Sequence, residues 1–141
     1  MRTRTLLLPL ACLWAANSPA HALCWIQKVV AAPAGIELRF QPRSNVRVSI
    51  GHNEVPRRWE SFWFWQGQFK RDDGELRDRL EIGESSLVEL RTGAHHSGCR
   101  GVVERRDGTL GIFLRAVDTL PNLPPQTVER FLPAQEEGAS K

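Results

Sequence analysis

Short runs in which apolar and charged residues alternate constrain this chain more than any other feature. Ile36-Glu37-Leu38-Arg39-Phe40 puts its apolar side chains on one side and its charges on the other, and Val46-Arg47-Val48-Ser49-Ile50 repeats the pattern. Leu76 to Ile82 also alternates, with Leu76, Leu80 and Ile82 opposite Arg77, Arg79 and Glu81, and Leu110, Ile112 and Leu114 form a further apolar row. Period-two alternation over such short stretches predicts half-buried antiparallel strands rather than amphipathic helices.

The punctuation between these runs agrees. Asp107-Gly108 separates Val102–Arg106 from Thr109–Arg115 and predicts a hairpin, because a tight type I′ turn needs positive φ at both central residues. Asp72-Asp73-Gly74 predicts a second hairpin before Leu76, and Pro33-Ala34-Gly35 a third before Ile36. Gln126 to Leu132 differs. It follows Pro124-Pro125, stops at Pro133, and sets Val128, Phe131 and Leu132 at helical spacing, so it predicts one short C-terminal helix. The expected fold is all-β: an antiparallel sandwich or partly open barrel of about 7–9 strands with that helix packed on it.

The first 22 residues read as a targeting segment. Arg2 and Arg4 precede an apolar run from Leu6 to Ala16, and Ala20-His21-Ala22 follows as a small-x-small triplet. This is the order of a secretory signal peptide cleaved after Ala22, and the run is shorter than the roughly 20 residues a spanning helix requires. The expected organisation is a signal peptide over 1–22, one β-rich domain over 23–134 and a flexible tail over 135–141. The expected location is periplasmic or secreted, with no stable membrane span.

Cleavage changes the charge and the cysteine count. The signal takes two of the 19 basic residues and none of the 16 acidic ones, so 17 basic residues face 16 acidic ones in the remainder. That near-neutral balance gives no field for nucleic acid. Cys12 leaves with the signal, and Cys24 and Cys99 remain. In an oxidising compartment they have one intramolecular pairing, a Cys24–Cys99 disulfide.

Trp59-Glu60-Ser61-Phe62-Trp63-Phe64-Trp65 is the most unusual stretch. As a strand it places Trp59, Ser61, Trp63 and Trp65 on one side and Glu60, Phe62 and Phe64 on the other. Such a strand is either buried on both sides or has a phenylalanine side in the core and a tryptophan side used for recognition. On the second reading Trp59, Trp63 and Trp65, flanked by Arg57 and Arg58, are the candidate binding residues.

Other constellations point to less. His95-His96-Ser97-Gly98-Cys99 has zinc- or copper-type donors, but adjacent histidines on an extended chain point apart and Cys99 is expected to be oxidised. Glu60 with Glu81 or Glu84 offers a carboxylate pair of the kind that cleaves glycosides, with no spacing that selects it. Asp72, Asp73, Glu75 and Asp78 alternate with arginines as a solvated, salt-bridged face does. Arg39, Arg47, Arg77, Arg79, Arg91 and Arg115 point outward on the expected strands; such a face can hold an acidic glycan or an acidic protein patch, but cross-strand pairing with Glu37, Glu81, Glu89 and Glu104 is the favoured account. There is no Gly-x-Ser-x-Gly elbow, no His-Glu-x-x-His and no phosphate loop, and no cofactor is called for.

The expected function is therefore that of an exported, non-enzymatic cell-envelope module binding a protein partner, as an inhibitor, an immunity factor or an accessory subunit of a secretion or surface assembly. The alternatives are a glycan- or peptidoglycan-binding module using the tryptophan strand, and a small secreted hydrolase.

Overall fold

The computed structural model describes residues 24–92, 98–118 and 126–137. The expected signal peptide and the His95-His96 pair lie outside the described residues. Among the described residues eleven strands follow in chain order: β1 (Ile26–Ala32), β2 (Gly35–Phe40), β3 (Val46–Gly51), β4 (Trp59–Trp65), β5 (Gln68–Arg71), β6 (Leu76–Arg77), β7 (Glu81–Ile82), β8 (Leu87–Thr92), β9 (Gly98–Arg106), β10 (Thr109–Asp118) and β11 (Gln126–Pro133). They form a three-stranded sheet, β1-β2-β7, and an eight-stranded sheet, β11-β10-β9-β8-β3-β4-β5-β6, with every strand pair antiparallel.

Alternation decides which side of each strand is buried. Val46, Val48 and Ile50 of β3 lie in one core with Phe62 and Phe64 of β4, Val88 and Leu90 of β8, and Ile112 and Leu114 of β10. The small sheet adds Ile36, Leu38 and Phe40 of β2 and Ile82 of β7 to the same core. Phe40 is where the sheets meet most visibly: its ring centroid is 5.4 Å from Phe64 and 6.2 Å from Phe69. Cys24 and Cys99 form the disulfide, with their Cα atoms 5.8 Å apart and both residues buried, which ties the start of β1 to β9.

The turn chemistry holds at Asp107-Gly108, where φ is 51° and 80°, and at Gly74, where φ is 98°. A further two-residue turn at Gln66-Gly67, with φ of 51° and 81°, folds β5 back on the tryptophan strand.

Two expectations need correction. Gln126 to Leu132 is not a helix. It is β11, paired with β10 from Gly111↔Pro133 to Asp118↔Gln126. A two-turn helix is marginal by itself. The ten-residue β10 would otherwise leave a long row of backbone groups unpaired, and the strand satisfies them. In the strand, Val128 and Leu132 pack against the core, and the parity of the chain sends Phe131 to the other face. The strand count also exceeds seven to nine, in part because Leu76–Ile82 is not one strand. Leu76-Arg77 pairs with β5 in the large sheet, and Glu81-Ile82 pairs with β2 in the small one. The chain changes sheet between them, so Leu80 and Ile82 are buried while Leu76 is exposed.

The segment expected to be a flexible tail is held at its start. Gln135 accepts a hydrogen bond from the Ala31 N–H at 2.8 Å and donates to the Val29 carbonyl at 2.9 Å. Glu137 accepts from the Arg39 guanidinium. Among the described residues no helix is long and apolar enough to cross a membrane.

Candidate functional site

The pairing of β4 decides what its two sides do. Phe64 lies opposite Val46 and Phe62 opposite Val48, so both rings enter the core. The alternate residues face outward. Trp63 lies opposite Arg47, Ser61 opposite Ser49, and Trp59 opposite Gly51. Trp59 is 47% exposed and Trp65 54% exposed, while Trp63 is half-buried. Of the two readings of this strand, the one with phenylalanines in the core and tryptophans on the outer face describes its geometry.

Each tryptophan has a different setting. Trp59 lies across β3, where a Cβ at Gly51 would come 2.8 Å from its Cζ2 atom and 2.9 Å from the Arg57 Cδ atom. Only a residue without a side chain lets the indole and the Arg57 stem approach the strand this closely. Trp63 lies beneath Arg47, whose guanidinium carbon is 5.4 Å from the ring centroid, a cation–π distance. Between Trp59 and Trp63 the Ser49 and Ser61 hydroxyls are 2.8 Å apart. Trp65 ends the strand opposite Gln68.

The two arginines expected to flank this face are committed elsewhere. Arg57 donates to the carbonyls of Gly51 at 3.0 Å, His52 at 3.3 Å and Ser85 at 3.3 Å, and so clamps the β3–β4 loop to the turn before β8. Arg58 pairs with Glu54 at 3.2 Å and with Glu60 at 3.3 Å. The cations in register on either side of Trp63 are Arg47, which also donates to Asp72 at 3.1 Å, and Lys70, with Arg91 next to Arg47.

The same outer face continues as an apolar row. Gly51 under Trp59 lies opposite Leu87, Leu87 opposite Val102, Val102 opposite Phe113, and Phe113 opposite Phe131. The Arg106 guanidinium carbon sits 4.4 Å from the Phe113 ring centroid and 5.2 Å from that of Phe131. Sequence reasoning missed this row. Alternation marks each residue as opposite to the core, but only the register lines them up.

Glu60 anchors the other side of β4. Its carboxylate meets His52 Nε2 at 2.7 Å, Arg71 Nη1 at 3.0 Å and Arg58 Nη1 at 3.3 Å. Burial pushes the Glu60 carboxyl up, but the hydrogen bonds from His52 and Arg71 outweigh it and hold the group below its ordinary range. Arg71 also bonds Asp73 at 2.6 Å, which, with the backbone N–H of Glu75, lowers Asp73 to about 2. This network ties the β3–β4 loop to β5 and so fixes where Trp59 begins. A carboxylate stabilised in its charged form is unsuited to be the general acid of a glycoside-cleaving pair and suits only its ionised member. Its suggested partners have other ties: Glu84 pairs with Arg105 at 3.3 Å, and Glu81 accepts from the Ala34 N–H at 3.2 Å.

A separate cleft of about 310 Å³ lies between β2 and the β4–β5 hairpin, lined by Phe40, Phe64 and Phe69 together with Arg39 and Arg79. Glu137 already occupies Arg39 there.

Comparison with known proteins adds no relative: no protein-family model matches this chain, and no curated protein or solved structure is significantly similar to it.

Proposed function

We propose that this chain is an exported, non-enzymatic module of the cell envelope that binds a protein partner through the outer face of its large sheet. An inhibitor, an immunity factor and an accessory subunit of a secretion or surface assembly all fit that description. We read the two sheets, joined through one core, as an open sandwich whose small sheet covers the inner side of the large one.

One observation carries the reading. β4 divides its aromatic residues by type, with Phe62 and Phe64 buried in the core and Trp59 and Trp65 about half exposed on the opposite face. Contiguous exposed apolar surface marks interaction sites, and Trp and Arg are the residue types that dominate binding energy at protein interfaces. The leader-like first 22 residues and the disulfide support export.

A second reading, glycan or peptidoglycan binding, is favoured by one feature. The paired Ser49 and Ser61 hydroxyls lie between Trp59 and Trp63, so a sugar could stack on the rings and hydrogen-bond between them. A pull-down with the tagged chain from residue 23 onward, using an envelope extract of its host, separates the two. One stoichiometric protein partner supports the first reading. No partner, combined with co-sedimentation with purified peptidoglycan and altered tryptophan emission, supports the second.

A further inference from the structure

The arginines of the large sheet are not all used alike. Arg47, Arg71 and Arg77 each donate hydrogen bonds to nearby carboxylates, and Arg57, in the loop before β4, is spent on carbonyls. Arg91, Arg100 and Arg115 differ. Their side chains are 64%, 78% and 64% exposed, and their carboxylate contacts are 3.7 Å and 3.9 Å to Glu89 and 3.8 Å to Glu129. Those separations lie beyond a hydrogen bond.

Their registers are also unusual. Arg47 lies directly opposite Arg91, and Arg100 directly opposite Arg115. Because Glu89 is the residue opposite Arg100, Arg91 sits on the diagonal from Arg100. Four guanidiniums therefore step across β3, β8, β9 and β10, over about 15 Å at the usual strand spacing. Like charges placed directly opposite each other oppose sheet formation. Acidic residues flank these arginines, with Glu89 opposite Arg100, Glu129 opposite Arg115 and Asp72 bonded to Arg47 at 3.1 Å, but no carboxylate comes within hydrogen-bond distance of Arg91, Arg100 or Arg115 among the described residues.

We infer that Arg91, Arg100 and Arg115, the three steps whose carboxylate contacts are all 3.7 Å or longer, are the subsite that receives the carboxylates of an acidic protein partner, while Arg47 at the head of the staircase is held by Asp72 at 3.1 Å. The inference rests on the docking face proposed above and specifies its chemistry. Guanidinium forks bind carboxylates bidentately and are desolvated at lower cost than ammonium groups. The staircase starts at Trp63, which Arg47 covers, and runs beside the apolar row of Leu87, Val102, Phe113 and Phe131. A basic line next to an apolar line complements a surface with acidic and apolar residues side by side. A protein offers both, whereas a sulfated or carboxylated polysaccharide offers only the charge.

The test measures binding of two probes, poly-L-glutamate and dextran sulfate, to the disulfide-bonded chain from residue 23 onward. Poly-L-glutamate is expected to bind, and to weaken as salt rises from about 0.05 to about 0.5 M. Substituting Arg91→Gln, Arg100→Gln and Arg115→Gln together should weaken that binding about tenfold or more without lowering the melting temperature. The charge-matched variant Arg43→Gln, Arg79→Gln, Arg130→Gln should bind as the parent does. The inference is overturned if poly-L-glutamate does not bind, if both triple variants lose binding equally, or if only dextran sulfate binds. The two proposals fail separately. If poly-L-glutamate is ignored but Trp63→Ala with Trp65→Ala abolishes capture of the native partner, the docking face stands and its acidic complement falls. If the staircase binds poly-L-glutamate but the tryptophan variant keeps the native partner, the staircase stands and the tryptophan face falls.

Discussion

Phe62 and Trp63 are consecutive in the chain and lie on opposite sides of the large sheet. Phe62 has no solvent exposure, and Trp63 is on the outer face beneath Arg47. The two types of aromatic residue on β4 should therefore respond differently to truncation. Phe62→Ala removes a ring from a packed core and should cost about 3–5 kcal/mol. Trp65→Ala, at a strand end in solvent, should cost less than about 1 kcal/mol. Urea unfolding of the two variants measures the difference. Equal losses would mean that both rings are structural.

Gly35 provides a test of how the small sheet is closed. A Cβ there would lie 2.0 Å from the Ile82 carbonyl oxygen, a backbone atom that cannot rotate away. Gly35→Ala should push β7 off β2 and destabilise the protein by about 2 kcal/mol or more. Gly67→Ala meets nothing within 4 Å, but its φ of 81° is unfavourable for alanine, so it should cost only about 1–2 kcal/mol. Thermal melts of the two variants rank them.

The Cys24–Cys99 disulfide closes a separation of 75 residues. In the chain-entropy account a loop of that size is worth about 4 kcal/mol, with measured values commonly about 2–4 kcal/mol. Cys24→Ser combined with Cys99→Ser should lower the urea midpoint by a corresponding amount, and reductant should do the same to the parent. The parent's intact mass should be two hydrogens below that of its reduced form.

Acid should weaken the fold through the network at the β4–β5 end. Asp73 is lowered from 3.8 to about 2 by the Arg71 hydrogen bond, and Glu60 also lies below its ordinary range. A carboxylate whose folded-state pKa is depressed contributes stability at pH values above its unfolded pKa. That contribution is lost as pH falls through the folded pKa. The loss should fall between about pH 4.5 and about pH 2. Glu60→Gln should flatten this part of the profile and cost about 1–2 kcal/mol at neutral pH, because Arg71 and His52 lose their charged acceptor. Urea midpoints measured across that pH range check both statements.

The strands and their inner faces were legible because alternation is a local property. Ile36–Phe40 and Val46–Ile50 read directly from residue order, as did the Asp107-Gly108 turn. The turn at Gln66-Gly67 was not legible, because glutamine is not a typical turn former and the aromatic run gave no reason to end at Trp65. The identity of β11 was hidden as well: Val128, Phe131 and Leu132 fit helical spacing, and only the open edge of β10 makes them a strand. The candidate site was half visible. Trp59, Trp63 and Trp65 stand out by type, but their neighbours Arg47, Lys70 and Arg91 are distant in sequence and depend on strand order. Arg57 and Arg58, adjacent in sequence to the tryptophans, are instead committed to the loop.

The most direct test of the docking face compares the parent chain with Trp63→Ala, Trp65→Ala in two measurements, thermal stability and capture of the partner from envelope extract. The account predicts that the double variant melts within about 2–3 °C of the parent and no longer retains the stoichiometric partner that the parent captures. A double variant that unfolds would make the rings structural. A stable one that keeps the partner would place the binding surface elsewhere on the molecule.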